Sequence, residues 1–103
     1  MPQVDLPITN PSGLHARPAA TFVKAAATFA CDLRVTNLTR DASRSASAKS
    51  VLGVMGLGVS AGHIVRLHAE GADAEEALAE LAALVAAGLE EAAARAVDDA
   101  TPA

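Results

Sequence analysis

Pro18 constrains this chain more than any other residue. It has no backbone N–H and a nearly fixed φ, so it fits the first turn of a helix, where donors have no intrahelical partner in any case. It closes the run Gly13-Leu14-His15-Ala16-Arg17-Pro18, and so sets a helix start at Ala16 with His15 at about the N-cap. Upstream, Val4, Leu6 and Ile8 alternate with Gln3, Asp5, Pro7 and Thr9, the period of a half-buried strand. Pro7 cannot donate to a ladder, which places that strand at a sheet edge. Downstream, Ala19, Phe22, Val23, Ala26 and Phe29 recur at helical spacing, so the helix is expected over residues 16–29. Asn10-Pro11-Ser12-Gly13 supplies the turn residues between the two periods.

This junction has chemical content. The first N–H groups of the helix, those of Ala16 and Arg17, together with the positive end of the helix dipole, make a ready anion site beside His15. Arg17 adds a planar fork suited to phosphate oxygens. A histidine at a helix start is most often a plain surface residue. A nucleophilic nitrogen next to an anion cradle instead suggests a residue that carries a phosphoryl group. Neither His63 nor His68 combines a glycine turn with an adjacent arginine and a helix start, so neither competes with His15.

The remainder reads as support. Leu33, Val35 and Asn37 alternate in a second strand, and the polar run 38–44 is a connection into a short third strand at about 44–47. Ser50 is the natural N-cap of a short helix over Val51-Leu52-Gly53-Val54-Met55. Val54 and Leu57 reach the core from it. Val51, Leu52 and Met55 are left facing outward, a cluster expected to serve as a docking patch. A last strand follows at 63–69, its core side formed by Val65, Leu67 and Ala69. Asp73 is placed to cap a final helix, with Glu76 set for a capping box and Ala77, Leu78, Leu81, Leu84, Val85 and Leu89 as its apolar stripe.

Composition excludes several classes. A net charge of −4 and two aromatic residues, Phe22 and Phe29, fit neither a basic patch nor a stacking platform for nucleic acid. The lone Cys31 has no partner for a disulfide and no metal-ligand spacing, so a packed thiol in a reducing compartment is expected. No apolar run is long enough to cross a membrane, and no signal peptide opens the sequence. A cytoplasmic location follows as an expectation, with neither metal nor cofactor.

The segment NPSGLHARPAATFVK resembles the active-site segment of the HPr family, the histidine phosphocarriers of the bacterial sugar phosphotransferase system. A second block, SASAKSVLGVMGLG, is similar to that family's second signature, and the likeness runs from about Val4 to Leu89. Periodicity alone also permits a ferredoxin-like plait. The resemblance implies an α+β open-faced sandwich, a four-stranded antiparallel sheet with three helices on one face. It implies a stoichiometric carrier rather than an independent catalyst, taking phosphate from enzyme I on His15 and passing it to sugar-specific IIA domains. Arg17 and the Ala16 and Arg17 amides would cradle the phosphoryl group. Ala16, Ala20, Lys24, Val51, Leu52 and Met55 would dock partners.

Ser50 corresponds to a serine that an HPr kinase/phosphorylase modifies in some members, where the product recruits a catabolite regulator. Other members of the fold serve nitrogen regulation or dihydroxyacetone phosphorylation, and a purely regulatory interaction module is a further alternative. Compared with the usual pattern the 38–44 connection is a few residues longer, and Ala27 and Gly53 are neutral where a base is often found. The expected organisation is a monomeric carrier domain over 1–90 and an alanine-rich acidic tail over 91–103. The whole is either free-standing or a module of a fused phosphotransfer protein.

Overall fold

The computed structural model describes residues 2–89. Its elements are β1 (Gln3–Pro7), α1 (Ala16–Ala26), β2 (Asp32–Asn37), β3 (Ser45–Ser47), α2 (Val51–Gly56), β4 (Ile64–Glu70) and α3 (Ala74–Ala86). The strands form one antiparallel sheet in the order β1-β4-β2-β3. β1 is therefore an edge strand, which is where Pro7 obliges it to be. The fold is the α+β open-faced sandwich expected from the resemblance, and not a ferredoxin-like plait.

Alternation decides which side of the sheet is covered. Leu33, Val35, Val65, Leu67 and Ala69 are buried, joined by Phe22, Val23 and Ala26 from α1 and Ala77, Leu81 and Val85 from α3. The opposite face keeps its charges in water, and Asp5 there accepts two hydrogen bonds from Arg66, its direct register partner. Such an exposed, solvent-screened pair adds little to stability. Phe22 is the one fully buried aromatic side chain, so the core is close-packed aliphatic volume with little tolerance for lost methyl groups.

Three local expectations need correction. α1 ends at Ala26, three residues short of Phe29, because the chain turns through Ala27 and Thr28. Phe29 still packs partly buried against the core from the loop. The third strand begins at Ser45 rather than at Arg44.

Asp73 stands at the N-cap of α3 but makes no side-chain capping bond, so the capping box with Glu76 does not form. Its carboxylate instead accepts the backbone N–H groups of Ala30 at 2.9 Å and Cys31 at 3.0 Å, across more than forty residues of chain. The donors at the entry to β2 win because they fix where the helical layer meets the sheet. Cys31 is buried, and burial first, then the Asp73 hydrogen bond and charge, push its thiol pKa up. That is the packed, unreactive thiol expected from its isolation in the sequence.

One buried amide ties the other end of the sheet together. Asn37 is 1 % exposed. Its Oδ1 accepts the N–H groups of Thr39 and Arg40, while its Nδ2 donates to the Leu57 carbonyl and to His63 Nδ1. His63 Nδ1 also accepts the Ser60 N–H at 3.1 Å. The end of β2, the end of α2 and the start of β4 are thereby held around two side chains. Asn37→Ala would leave these buried groups without partners and should cost about 2–3 kcal/mol, read as a lowered urea midpoint at unchanged m-value.

The Asp73 staple makes a different prediction. The Ala30 N–H first, then the Cys31 thiol, hold its carboxyl below the ordinary carboxylate range. A depressed folded pKa means stability that is complete above the unfolded value of about 3.9 and lost as pH falls through the lower folded value. Asp73→Asn should therefore flatten the loss of stability below about pH 4, leaving the slope contributed by Asp5 and Asp41, whose carboxyls are also held low. Urea midpoints for the two proteins across that window check it.

Candidate functional site

The end of the sheet where β1 stops and β4 starts carries the site. The chain leaves β1 through Ile8, whose N–H donates to the His63 carbonyl at 2.8 Å and whose carbonyl accepts from Gly62 at 2.7 Å. It then turns through Asn10–Gly13, with Asn10 Nδ2 donating to the Gly13 carbonyl at 2.8 Å. Gly13 has φ +60 and faces the loop after α2 so closely that a Cβ would lie 2.2 Å from the Val59 carbonyl oxygen. The next residue, Leu14, donates its N–H to that same oxygen at 3.0 Å and is itself buried. Glycine is thus required at position 13 by both conformation and approach.

With Leu14 anchored inward, His15 is turned outward. It is the N-cap of α1, with extended backbone and no side-chain capping bond, and it is exposed. Its carbonyl accepts the Ala19 N–H at 2.8 Å, the first intrahelical bond of α1. The N–H groups of Ala16 and Arg17 precede that bond and have no acceptor within the helix. Pro18 follows, buried, in the place predicted from its missing donor. Ser12, His15, Ala16, Arg17 and Pro18 line one shallow depression of about 440 Å³. An imidazole free to act as a nucleophile, a guanidinium and the positive end of a helix dipole therefore open onto the same space. No acidic side chain stands in the first turn of α1 to oppose an anion there.

The other sequence-derived residues spread outward from this point. Ala20 and Lys24 are exposed on α1 and line a groove with Arg17, Thr21, Thr28 and Leu84 of α3. Ser50 caps α2, its Oγ accepting the Gly53 N–H at 3.0 Å. Val51 is 37 % exposed and Leu52 83 % exposed, an uncovered apolar pair on a helix that contacts α1. Met55 departs from its expected place: it packs partly buried against the core, so the outward patch is narrower than three residues. Val54 and Leu57 are buried, as their spacing indicated.

Three positioning residues escaped the sequence reading. Val59, Asn37 and His63 touch no site directly, yet they hold the loop whose carbonyl fixes Leu14. Their signal lies in contacts between distant segments, which no local pattern carries. Among the described residues no group of His, Cys, Asp or Glu is placed to hold a metal ion, and no helix is long and apolar enough to cross a membrane.

Comparison with known proteins points the same way. Residues 3–87 match the PTS-HPr family model, described as the PTS HPr component phosphorylation site. The phosphocarrier protein HPr of Vibrio cholerae is 46% identical over 78 residues, 76% of this chain and 87% of that protein. The multiphosphoryl transfer protein of Haemophilus influenzae is 44% identical over 84 residues, 82% of this chain but only 17% of that protein's length. The crystal structure of HPr-C-His from Thermoanaerobacter tengcongensis superposes with a TM-score of 0.80 at 43% identity, covering 88% of this chain and 98% of that one. Sheet order, helix placement and a match across nearly all the described residues agree, and the chain belongs to the PTS-HPr family of phosphotransferase-system phosphocarriers.

Proposed function

We propose that this chain accepts a phosphoryl group on His15 Nδ1 from phospho-enzyme I and hands it to a sugar-specific IIA domain. The observation that carries the reading is the exposed, uncommitted imidazole of His15 sharing one depression with Arg17 and the start of α1. In the first transfer the lone pair on Nδ1 of a neutral imidazole forms a P–N bond as the bond from phosphorus to the donor breaks. In the second transfer that P–N bond breaks as the acceptor's nucleophile bonds to phosphorus. No atoms are lost to water in either step. Arg17 and the Ala16 and Arg17 amides neutralise the phosphoryl oxygens throughout.

The energetics suit a carrier. Helix-end electrostatics contribute about 0.3–1 kcal/mol when exposed and ~2 when partly buried. Stabilisation on that scale holds the phosphoryl group in place without trapping it. The docking surface we assign is Ala16, Ala20 and Lys24 on α1 with Val51, Leu52 and the partly exposed side of Met55 on α2. The domain is taken as residues 1–90, and the 91–103 tail lies outside the described residues. The likeness to multiphosphoryl transfer proteins, several times longer than this chain, favours a second setting in which the same carrier is one module of a fused protein.

Incubation with enzyme I and labelled phosphoenolpyruvate should give an acid-labile, alkali-stable label that His15→Ala abolishes. Arg17→Ala should retain the fold and slow transfer about tenfold or more, the loss of one charge-assisted contact. Label retained by His15→Ala, or an Arg17→Ala variant with unchanged kinetics, would contradict the assignment.

Ser50 is the proposed regulatory position. A phosphate there would sit at the start of α2, immediately before the exposed Val51 and Leu52. It would add negative charge and hydration to an apolar docking patch. Ser50→Asp should lower the rate of phosphorylation by enzyme I by about tenfold. Ser50→Ala should leave that rate near the unaltered value and cost about 1 kcal/mol of stability for the lost cap. Treatment with HPr kinase and ATP followed by mass spectrometry tests whether Ser50 is the acceptor.

A further inference from the structure

We infer that the connection between β2 and β3 is a cationic docking arm, through which Arg40 and Arg44 engage an acidic rim on the protein that exchanges phosphate with His15. This rests on the carrier reading of His15 given above. It adds a contact surface beyond the α1–α2 patch, next to the C-terminal end of α2.

Topology puts the arm at the right end. Asn37 at the close of β2 pairs with Val65 at the start of β4, and Pro7 at the close of β1 pairs with Ile64. The loop bearing His15, the 38–44 connection and the loop after α2 therefore emerge from the same end of the sheet. They are tied there directly: Leu38 N–H donates to the Ile64 carbonyl at 2.9 Å, and Ile64 N–H donates to Thr39 Oγ1 at 2.9 Å. Arg40 lies across Gly58 so closely that a Cβ on Gly58 would coincide with its guanidinium. Gly58 directly precedes Val59, whose carbonyl anchors Leu14, the neighbour of His15. One short stretch of loop thus has Arg40 on one side and the His15 anchor on the other.

Charge is segregated along the same axis. Among the described residues, the three loops at this end together with the first turn of α1 carry Arg17, Arg40 and Arg44 against a single carboxylate, Asp41. That carboxylate accepts the N–H and hydroxyl of Ser43 and also feels the charges of Arg44 and Arg40, so it offsets part of theirs; among the described residues the one ion pair is Asp5 with Arg66. Both guanidiniums are exposed. They line a recess of about 180 Å³ with Asn37, Asp41 and Leu57, floored by the buried amide that holds the arm in place. The opposite end carries Asp32, Glu70, Asp73, Glu75 and Glu76 against Lys49, whose Nζ donates to the Phe29 carbonyl there.

With Arg17, Arg40 and Arg44 at this end and most of the described carboxylates elsewhere, an acidic partner is drawn to the end that presents His15. A partner that must bring its reacting group to His15 necessarily lies over this end. Ala27 and Gly53 add no charge to the helical patch, which leaves Arg40 and Arg44 as a main source of long-range attraction besides Arg17 and Lys24.

The test measures kcat/KM for phosphorylation of the full chain by purified enzyme I and phosphoenolpyruvate, at low salt and at about 0.5 M salt. Arg40→Ala/Arg44→Ala should lower kcat/KM by about tenfold at low salt, chiefly through KM, and the difference should shrink at high salt. Arg34→Ala, which removes an exposed charge from the open sheet face, should stay within about twofold of the unaltered chain. Near-identical thermal midpoints for the double variant and the unaltered chain exclude a folding effect. A double variant no slower than Arg34→Ala, or a deficit that salt does not reduce, overturns the arm alone. Failure of the unaltered chain to take label at His15 overturns the carrier reading, and the arm with it.

Discussion

Everything at the working end of this molecule depends on the absence of a side chain at Gly13. Because Gly13 presses against the Val59 carbonyl, Leu14 can give its N–H to that oxygen and bury its side chain. The next residue is then driven outward at the start of α1. A loop that merely happened to expose a histidine would sample many orientations, each with its own entropy to lose when a partner docks. Here the exposed residue is flanked by a buried leucine on one side and a buried proline on the other. Exposure and order are obtained together, which is what a group that must be reached by large partners and yet react in a defined direction requires.

The frame behind it is a set of mutual ties rather than a single support. Ile8 bonds both ways with the 62–63 turn, Asn37 bonds to Leu57 and His63, and His63 bonds back to Ser60. Each loop at this end is held by another loop as well as by its own strand. Such closure explains how the 38–44 connection can be long and polar without loosening the site. Adding a few residues to a hairpin connection costs little closure entropy. The buried Asn37 amide recovers order at the base of that connection by binding Thr39 and Arg40. What is held fixed is the geometry at the base of the loop, while the tip is free to carry charge.

Much of this was legible in the sequence, and the reasons are local ones. Alternation of Val4, Leu6 and Ile8, the missing donor of Pro18, and Ser50 before an apolar run each act within a few residues, so they give elements, the helix start and the cap of α2 correctly. The resemblance to HPr supplied the strand order, which the periodicities alone left open. What local reasoning missed are bonds made across the chain. Asp73 has every mark of a helix cap, yet its carboxylate goes to Ala30 and Cys31, because two backbone donors at the entry to a strand outcompete the first turn of its own helix. His63 looked like an ordinary strand-start residue and is instead an acceptor for two separate segments. Met55 was read as outward from helical spacing, but a six-residue helix lying close over the core lets a flexible side chain turn back into it.

These departures share a physical pattern that bears on the chemistry. The side chains that bind across the chain, half-buried Asp73 at one end and buried Asn37 with half-buried His63 at the other, are each satisfied by more than one partner. The polar groups around His15 are arranged the opposite way: the imidazole makes no capping bond, Arg17 is exposed, and the first amides of α1 have no helical acceptor. In a folded chain unsatisfied hydrogen-bonding capacity is costly unless water supplies it. Its concentration at one wet helix start therefore distinguishes a surface built to exchange partners from one built to keep them. On the proposed reading, a phosphoryl group on His15 would replace water as the acceptor for those donors and give way to water again on leaving.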